Sequence, residues 1–458
     1  MSFVRRFSRI LYFTFAAVTG LAQSAPPVRL PKVDERWTIE SALARALEAN
    51  PEFLAAKAEH ERQEGVRMQA RARLLPQLNL SASSDKRDQG LTDRSPQEFN
   101  LPPNERSIIA SSNYDAHMEL RQLIFDGFDT WNQAKKYRAL ELESRFSMES
   151  AAQRTIALVR QAFDAVLWRR EALAKERERV TALQQVVDWT VKKQEAGEVA
   201  EYEKYRAQAE LKLAEADLAQ ALSNVAKAEQ AFRRLLMIPD GIATGSPLLI
   251  EGELKPRILT WTLSEAIAMA HARRPDLSAA AANLKAAQHS VHAAYGSYLP
   301  KVEAYVSYGA RSSYYDETRR LEGWSGGAAA SWNIFDGLET RGRIKMELAS
   351  RRAAEVRLED TAMQIDSQLR ELYAGVELAR SMVEAQRGAA DLAGRSLSQA
   401  RRLHQLGQIS LEQVLQAELT SRQAELGWLE AIFNHNSTIT EIEYSVGSGL
   451  ATSATPRR

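Results

Sequence analysis

Between residues 114 and 125, Tyr114, Ala116, Met118 and Leu120 alternate with Asp115, His117, Glu119 and Arg121. In residues 302–308, Val302, Ala304, Val306 and Tyr308 are set against Glu303, Tyr305 and Ser307. Ala328, Ala330, Trp332 and Ile334 against Ala329, Ser331 and Asn333 form a third case, and residues 78–84 a weaker fourth. Successive side chains of a strand point to opposite faces, so the alternation predicts four strands, each with an apolar and a polar face. Past Gly127 and Gly337 the apolar period lengthens to about 3.5 residues, the signature of coiled-coil helices. Val159, Val166, Leu173, Val180 and Val187 are seven apart, and Ile365, Leu369, Leu372, Val376, Ala379 and Val383 step by four and three. Beyond Gly197, Leu211, Ala214, Leu218, Ala221, Val225, Ala228, Phe232 and Leu235 continue such a seam. Beyond Gly407, Leu415, Leu419, Leu426, Leu429 and Phe433 do the same, which makes Gly197 and Gly407 turns between antiparallel helices. No Pro or Gly interrupts residues 128–196, and at 1.5 Å per residue such a helix reaches roughly 100 Å.

These patterns occur twice. Trp37-Thr38-Ile39, Asn50-Pro51-Glu52 and Leu75-Pro76 return 224 residues later as Trp261-Thr262-Leu263, Arg274-Pro275-Asp276 and Leu299-Pro300. Ile124-Phe125-Asp126-Gly127 and Gly197 return 210 residues later as Ile334-Phe335-Asp336-Gly337 and Gly407. The 14 extra residues of the first half fall between Pro76 and Ile124, where polar, Pro-containing residues 85–113 read as a surface loop. A drift confined to a loop supports an internal duplication. Each half begins with a short helix (residues 39–49 and 263–273), broken by Pro51 or Pro275, and a second helix that stops before Pro76 or Pro300. The chain thus divides into a first repeat over residues 36–247, a linker over 248–260, a second repeat over 261–447 and a tail over 448–458. Ahead of them, Arg5, Arg6 and Arg9 precede an apolar run over residues 10–18 and then small residues. That order reads as a secretory signal peptide over residues 1–24, cleaved after Ala22 or Ser24; the alternative, a membrane anchor, meets a run shorter than the ~20 residues of a span.

Composition narrows the chemistry. With 60 Lys+Arg against 59 Asp+Glu, a net charge of +1 gives no sequence-wide case for nucleic acid. Zero Cys excludes disulfides, thiolate metal sites, thiol nucleophiles and an acylated N-terminal Cys, and 7 His leave little material for a metal or acid–base centre. No cofactor and no catalytic group is expected. Mean hydropathy is −0.38 and no later run of 18 apolar residues occurs, so a mature chain that crosses a membrane does so without helices. Four strands cannot close a barrel alone, since closed barrels start at about eight. An open sheet would expose two edges and an apolar face, so several copies contributing to one barrel is the economical solution. The alternative is a periplasmic coiled-coil adaptor or structural protein with a small sandwich of strands.

Over nearly all the mature chain the sequence resembles the TolC-like outer-membrane efflux protein family. The resemblance lies in Ser41-Ala42-Leu43 through Asn50-Pro51, Leu74-Leu75-Pro76, Leu123-Ile124-Phe125-Asp126-Gly127, their second-half counterparts, and Gly197-Glu198-Val199 through Ala207-Gln208-Ala209-Glu210-Leu211. It implies a mainly α homotrimer with four strands per protomer in a shared 12-stranded outer-membrane barrel, and antiparallel coiled coils forming a long α-barrel across the periplasm. It further implies a passive exit duct embedded in outer-membrane lipid and docked on an inner-membrane pump through an adaptor protein, or on a type I secretion ABC transporter. Asp115, His117, Glu119 and Arg121 would then line the lumen. Gly197, Glu198, Gly407 and Gln408 would form adaptor-docking tips, with an ordinary turn as the alternative. Family members often carry aspartates six and nine residues after the second-half glycine; here Gln413 and Gln416 stand there, with Glu203 six after Gly197. His404 occupies the position, three before Gly407, where the family can hold a gating aromatic. The four suggest a periplasmic gate held by amides more than by carboxylates; alternatively the glutamines decorate a solvated face. His404 also continues the 390/397 heptad step, which favours a packed histidine.

Other motifs are weaker. Gly323-Trp324-Ser325-Gly326-Gly327 matches a nucleophile elbow, but a strand follows where a helix is required. His289 and His292 share a helix face without a third ligand type nearby. Asp126 and Asp336 are placed to satisfy free N–H groups at helix starts, and Trp131, Trp324 and Trp332 fit either an interfacial aromatic belt or core packing.

Overall fold

A computed structural model describes residues 36–86, 112–238, 248–312 and 320–448. Residues 1–24, read from the sequence as a signal peptide, all of the tail except Ser448 and most of the first-half loop lie outside the described residues. The elements run β1 (Arg36–Trp37), α1 (Ile39–Ala49), α2 (Pro51–Ala72), β2 (Gln77–Lys86), β3 (Ser112–Phe125), α3 (Asp129–Glu195) and α4 (Glu201–Leu235). They continue as β4 (Leu249–Ile250), α5 (Leu263–Arg273), α6 (Pro275–Gly296), β5 (Lys301–Ser312), β6 (Arg320–Ser331), α7 (Glu339–Gln405) and α8 (Leu411–Ser445). Helix lengths match between halves, at 11, 22, 67 and 35 residues. Each 67-residue helix is about 100 Å long.

The four long strands form one antiparallel sheet, ordered β2-β3-β5-β6, with β3 and β5 from different halves paired at its centre. β6 ends at Ser331, so Trp332 and Ile334 lie beyond the strand that their alternation suggested. The turn toward Asp336 and Gly337 intervenes and ends the pairing. At both strand-to-helix corners the sequence Asp-Gly does what the motif predicts. The Asp126 carboxylate accepts the Thr130 N–H at 2.9 Å, and that of Asp336 accepts the N–H groups of Leu338 at 3.0 Å and Thr340 at 2.9 Å. Gly127 (φ 69°) and Gly337 (φ 66°) adopt the left-handed conformation that turns the chain. At Gly127 any Cβ would also collide with the Gly296 carbonyl.

Helices pack mainly as one row. Near the sheet the order is α2-α3-α6-α7; farther away it is α4-α3-α8-α7. Apolar side chains stay exposed on the edge helices, among them Leu213 and Leu222 of α4 and Leu378 and Leu392 of α7. Beside the start of α1, β1 and β4 pair in parallel, and Trp37, Leu43 and Ala46 pack on Ile156, Val159, Phe163, Phe232 and Leu236. An equivalent cluster joins Ala266 and Ala270 to Ile365, Leu369, Ile439 and Ile442. A third, near the far end, packs Leu183 and Val187 against Ala207, Leu211, Leu411 and Leu415. The α8 seam differs from its heptad reading. Leu419 is exposed, while Leu411, Val414, Glu418 and Ser421 are buried, because α8 packs on α7 and α3 together and needs a wider stripe than one seam.

Two polar devices hold this framework. Buried Asn50 accepts the N–H groups of Glu52 and Phe53 at 2.9 and 3.3 Å, capping α2, and donates to the Leu235 carbonyl at 3.3 Å, joining α2 to the end of α4. At the matching junction Arg274 makes no cap and binds Asp276 and Gln368. The second device fixes the stretch after β4. Asn436 of α8 donates to the Lys255 carbonyl and accepts the Arg257 N–H, both at 3.0 Å, and His435 Nε2 donates to the Arg257 carbonyl at 3.0 Å. Arg257 and Arg160 both grip Glu443, the latter at 2.6 Å. Asp164 lies among them at a cavity of about 970 Å³. Burial pushes its carboxyl up to about 6, against the pull of Arg257 and Arg160 and with the push of Glu443.

Asn50→Ala should destabilise the protein by about 1–2 kcal/mol through loss of the cap. Asn50→Asp, which keeps the acceptor and loses the donor, should fall between, read from denaturation midpoints. Because the folded state holds the Asp164 proton up to about 6 and the unfolded chain only to 3.8, stability contributed by this group is lost as pH rises through that window. Asp164→Asn should therefore raise stability at pH above 6, by up to roughly 3 kcal/mol, and change little below pH 4. Unfolding measured across this range checks both the sign and the window.

Candidate functional site: the strand face and the helix tips

Alternation places Asp115, His117, Glu119 and Arg121 on one face of β3, and their side chains meet there. His117 Nδ1 lies 2.6 Å from Asp115 Oδ1, and Arg121 Nε and Nη2 donate to Glu119 Oε1 at 3.0 and 2.8 Å. Strand β5 adds Glu303, accepting from Arg121 Nη1 at 3.4 Å and paired with Lys301 at 2.6 Å, and Arg311, 3.8 Å from Asp115. Their parity in β5 was readable once Glu303, Tyr305 and Ser307 were set on the polar side. Which strand they would face was not, because the β3–β5 register joins the two halves. Gly309 stands opposite His117, where an added Cβ would come within 2.6 Å of the His117 Cβ.

The other face is apolar in its middle rows. Leu80, Met118, Tyr308 and Trp324 form one row by register, and Leu78, Leu120 and Val306 the next. All seven are exposed, Trp324 by 77%. Within the described residues β2 and β6 have neighbours on one side only. An exposed apolar face of this size bounded by unpaired edges is a surface built to be covered. No described helix is long and apolar enough to cross a membrane. Trp131, Trp324 and Trp332 are all exposed, so none of the three packs in the core of this chain. Ser325 of the elbow-like motif sits inside β6, sharing a 2.8 Å hydrogen bond with Ser307, and lacks the sharp turn a nucleophile needs. The His289 and His292 rings lie 6.4 Å apart, the first half-buried and the second exposed.

At the opposite end both hairpins turn through matching motifs. The Gly197 and Glu198 N–H groups bond the carbonyls of Gln194 and Lys193, and those of Gly407 and Gln408 bond His404 and Leu403. This is the Schellman arrangement, with Gly197 at φ 75° and Gly407 at φ 70°. The following helices start differently. Ser410 and Gln413 form a reciprocal capping box, whereas Ala200 makes no side-chain cap. Gln413 is thereby committed to the start of α8, and Gln416 lies exposed one turn on. Glu203 lies in the first turn of α4, and Arg206, three residues on, pairs with Glu412 at 3.2 Å to link the starts of α4 and α8.

His404 is half-buried. Its Nδ1 donates to the Ile409 carbonyl at 2.9 Å, and its ring meets the Trp189 ring edge-on at 4.9 Å. Lys193 lies 4.2 Å over the other ring, in cation–π contact. Farther from the tips a charge cluster spans three helices, with Glu176 and Arg179 buried and Asp217 and Arg422 half-buried. Arg179 binds Asp217 at 2.9 Å, and Arg422 binds Glu176 at 2.7 Å and Asp217 at 2.9 Å. Sequence reading missed Trp189 and this cluster, since both depend on which helices become neighbours.

Comparison with known proteins accords with this geometry. The family model described as "Outer membrane efflux protein" matches residues 42–236 and 266–431. The alkaline protease secretion protein AprF of Pseudomonas aeruginosa is 26% identical over 332 residues, covering 71% of this chain and 65% of that protein, just under two thirds of its length. The outer membrane protein OprJ of the same species is 23% identical over 395 residues, covering 83% of this chain and 77% of the relative. The CmeC outer membrane channel of Campylobacter jejuni superposes with a TM-score of 0.80 at 16% identity, over 90% of this chain and 86% of that one. With its family model matched across both halves, the chain belongs to the outer membrane efflux protein family.

Proposed function

We propose that the chain is the outer-membrane exit duct of a tripartite efflux pump or type I secretion system, acting as a homotrimer with an internally duplicated fold. The sheet carries this reading: four strands with an apolar outer face, a charged inner face and two unpaired edges, continuous with helices about 100 Å long. Three copies of the four-stranded sheet give twelve strands, enough to close a barrel. The apolar face then meets outer-membrane lipid, and Asp115, His117, Glu119 and Arg121 face the lumen. Three helical rows close in the same way, which covers the exposed leucines of α4 and α7. Equal helix lengths in the two halves support the duplication. The tube spans the periplasm, and the tips at Gly197, Glu198, Gly407 and Gln408 present the irregular surface on which a periplasmic adaptor docks, with an inner-membrane pump or ABC transporter beyond it. Membership of an efflux family and the likeness to a secretion protein support these partners.

We place the periplasmic gate at Glu203, His404, Gln413 and Gln416. Its closure rests on amides and packed rings: Gln413 fixes the start of α8, and His404 is wedged against Trp189.

The protein should sediment with the outer membrane, require detergent for extraction and run as a trimer after cross-linking; a soluble monomer in the periplasmic fraction would contradict the duct. Single-channel recordings should show little block of the wild type by divalent cations added from the periplasmic side. Gln413→Asp combined with Gln416→Asp should create such a block by placing a carboxylate ring at the tips. Strong block of the wild type would show that the gate is acidic after all.

A further inference from the structure

We infer that Arg121 determines charge selectivity in the strand-lined part of the duct; this rests on the lumen-facing reading above. The observation is an asymmetry of height within the ion pairs of β3 and β5. The carboxylates lie low: side-chain exposure is 22% for Glu119 and 24% for Glu303. The cations stand over them, at 51% for Arg121 and 55% for Lys301. Arg121 is the member that touches both acids, through Nε and Nη2 to Glu119 and through Nη1 to Glu303. Water on this face therefore meets the guanidinium first, with two carboxylates behind it.

Stability does not explain the arrangement. Pairs this exposed contribute at most about 1 kcal/mol each, so a sheet held by backbone hydrogen bonds would fold without them. Their effect lies in the field. With Arg121 and Lys301 in place, the local set of two acids and two cations is neutral, and its outermost atoms are donors. Removing the guanidinium leaves one uncompensated negative charge per chain on the wall, hence three around the proposed trimer. β2 and β6 offer no replacement in these rows. Gln77, Asn79 and Ser81 on one side and Gly323, Ser325 and Gly327 on the other carry no charge. Asp85, paired with Asn113, lies on the same face but at the loop end of β2, six residues along from Asn79. Arg121 thus keeps the wall open to anionic groups of passing cargo, such as carboxylates and phosphates, which a bare Glu119–Glu303 pair would repel. A lysine could neutralise one acid but could not bridge both with a planar fork.

The test is the reversal potential of the purified full-length protein in planar bilayers under a KCl gradient, at an ionic strength near 0.01 M where the screening length is ~30 Å. Arg121→Gln should raise the K⁺/Cl⁻ permeability ratio by roughly twofold or more over wild type. Glu119→Gln, which leaves the same guanidinium with Glu303 as its one acidic partner in the pair set, should shift the ratio in the opposite direction, and Arg121→Lys should fall between wild type and Arg121→Gln. Opposite shifts from two members of one pair are a signature that a merely structural role would not produce. A conducting Arg121→Gln protein with an unchanged ratio would overturn the inference and leave the duct intact, whereas a wild type that forms no pore at all would overturn the duct itself.

Discussion

The structure turns on the hydrogen bonds that one copy of this sheet cannot make. β2 and β6 each leave a row of backbone N–H and C=O groups unpaired within the described residues, beside a face of Leu80, Met118, Tyr308 and Trp324. In water the apolar face is unfavourable; in lipid each unpaired backbone group costs several kcal/mol. Neither environment suits the single chain. The proposed closure by further copies would remove both penalties at once, and the strand polarity would then decide which face is wet.

The proposed closure would extend to the helices. A sheet edge that meets a neighbour obliges the helices below it to meet neighbours too, which is where Leu213, Leu222, Leu378 and Leu392 stand. Within one chain, cohesion is instead polar at several critical places. Asn50 bridges two stacked helices, Asn436 and Glu443 fasten the stretch before α5, and Arg179 and Arg422 share Glu176 and Asp217 between the hairpins. Breaking a buried pair is costly because one charge is left uncompensated, so these contacts fix how the hairpins sit against each other more than they add stability. At the tips both turns share one backbone motif, but only the second helix begins with a side-chain cap, so the two hairpin ends differ in how firmly their returning helices are anchored.

Much of this was legible in the sequence, for physical reasons. A two-residue period survives in β3 because each side chain there faces one of two contrasting environments, and Pro51, Pro275, Gly197 and Gly407 punctuate helices through backbone geometry that no distant contact overrides. The α8 seam was misjudged at Leu419 because heptad reasoning assumes a single partner helix, whereas α8 serves two. The alternation of residues 328–334 overran the strand because periodicity does not record where hydrogen-bond partners stop. Arg121 shares with Glu119 the strand face that alternation gives it, but its link to Glu303 arises 182 residues away through a register that no local pattern carries. The same holds for Trp189 against His404, a contact between hairpins.

The central claim, that three copies share one closed barrel, is open to a direct measurement because the chain has no Cys. Within one copy β2 and β6 are separated by two strands, about 14 Å at the usual spacing, too far for a disulfide. Asn79→Cys combined in turn with Gly323→Cys or Ser325→Cys can therefore cross-link only between copies. Oxidation in native membranes should give, for the matching register, a ladder that ends at three chains. Uncross-linked monomer in every combination, or a ladder that continues without limit, would contradict a closed trimeric barrel.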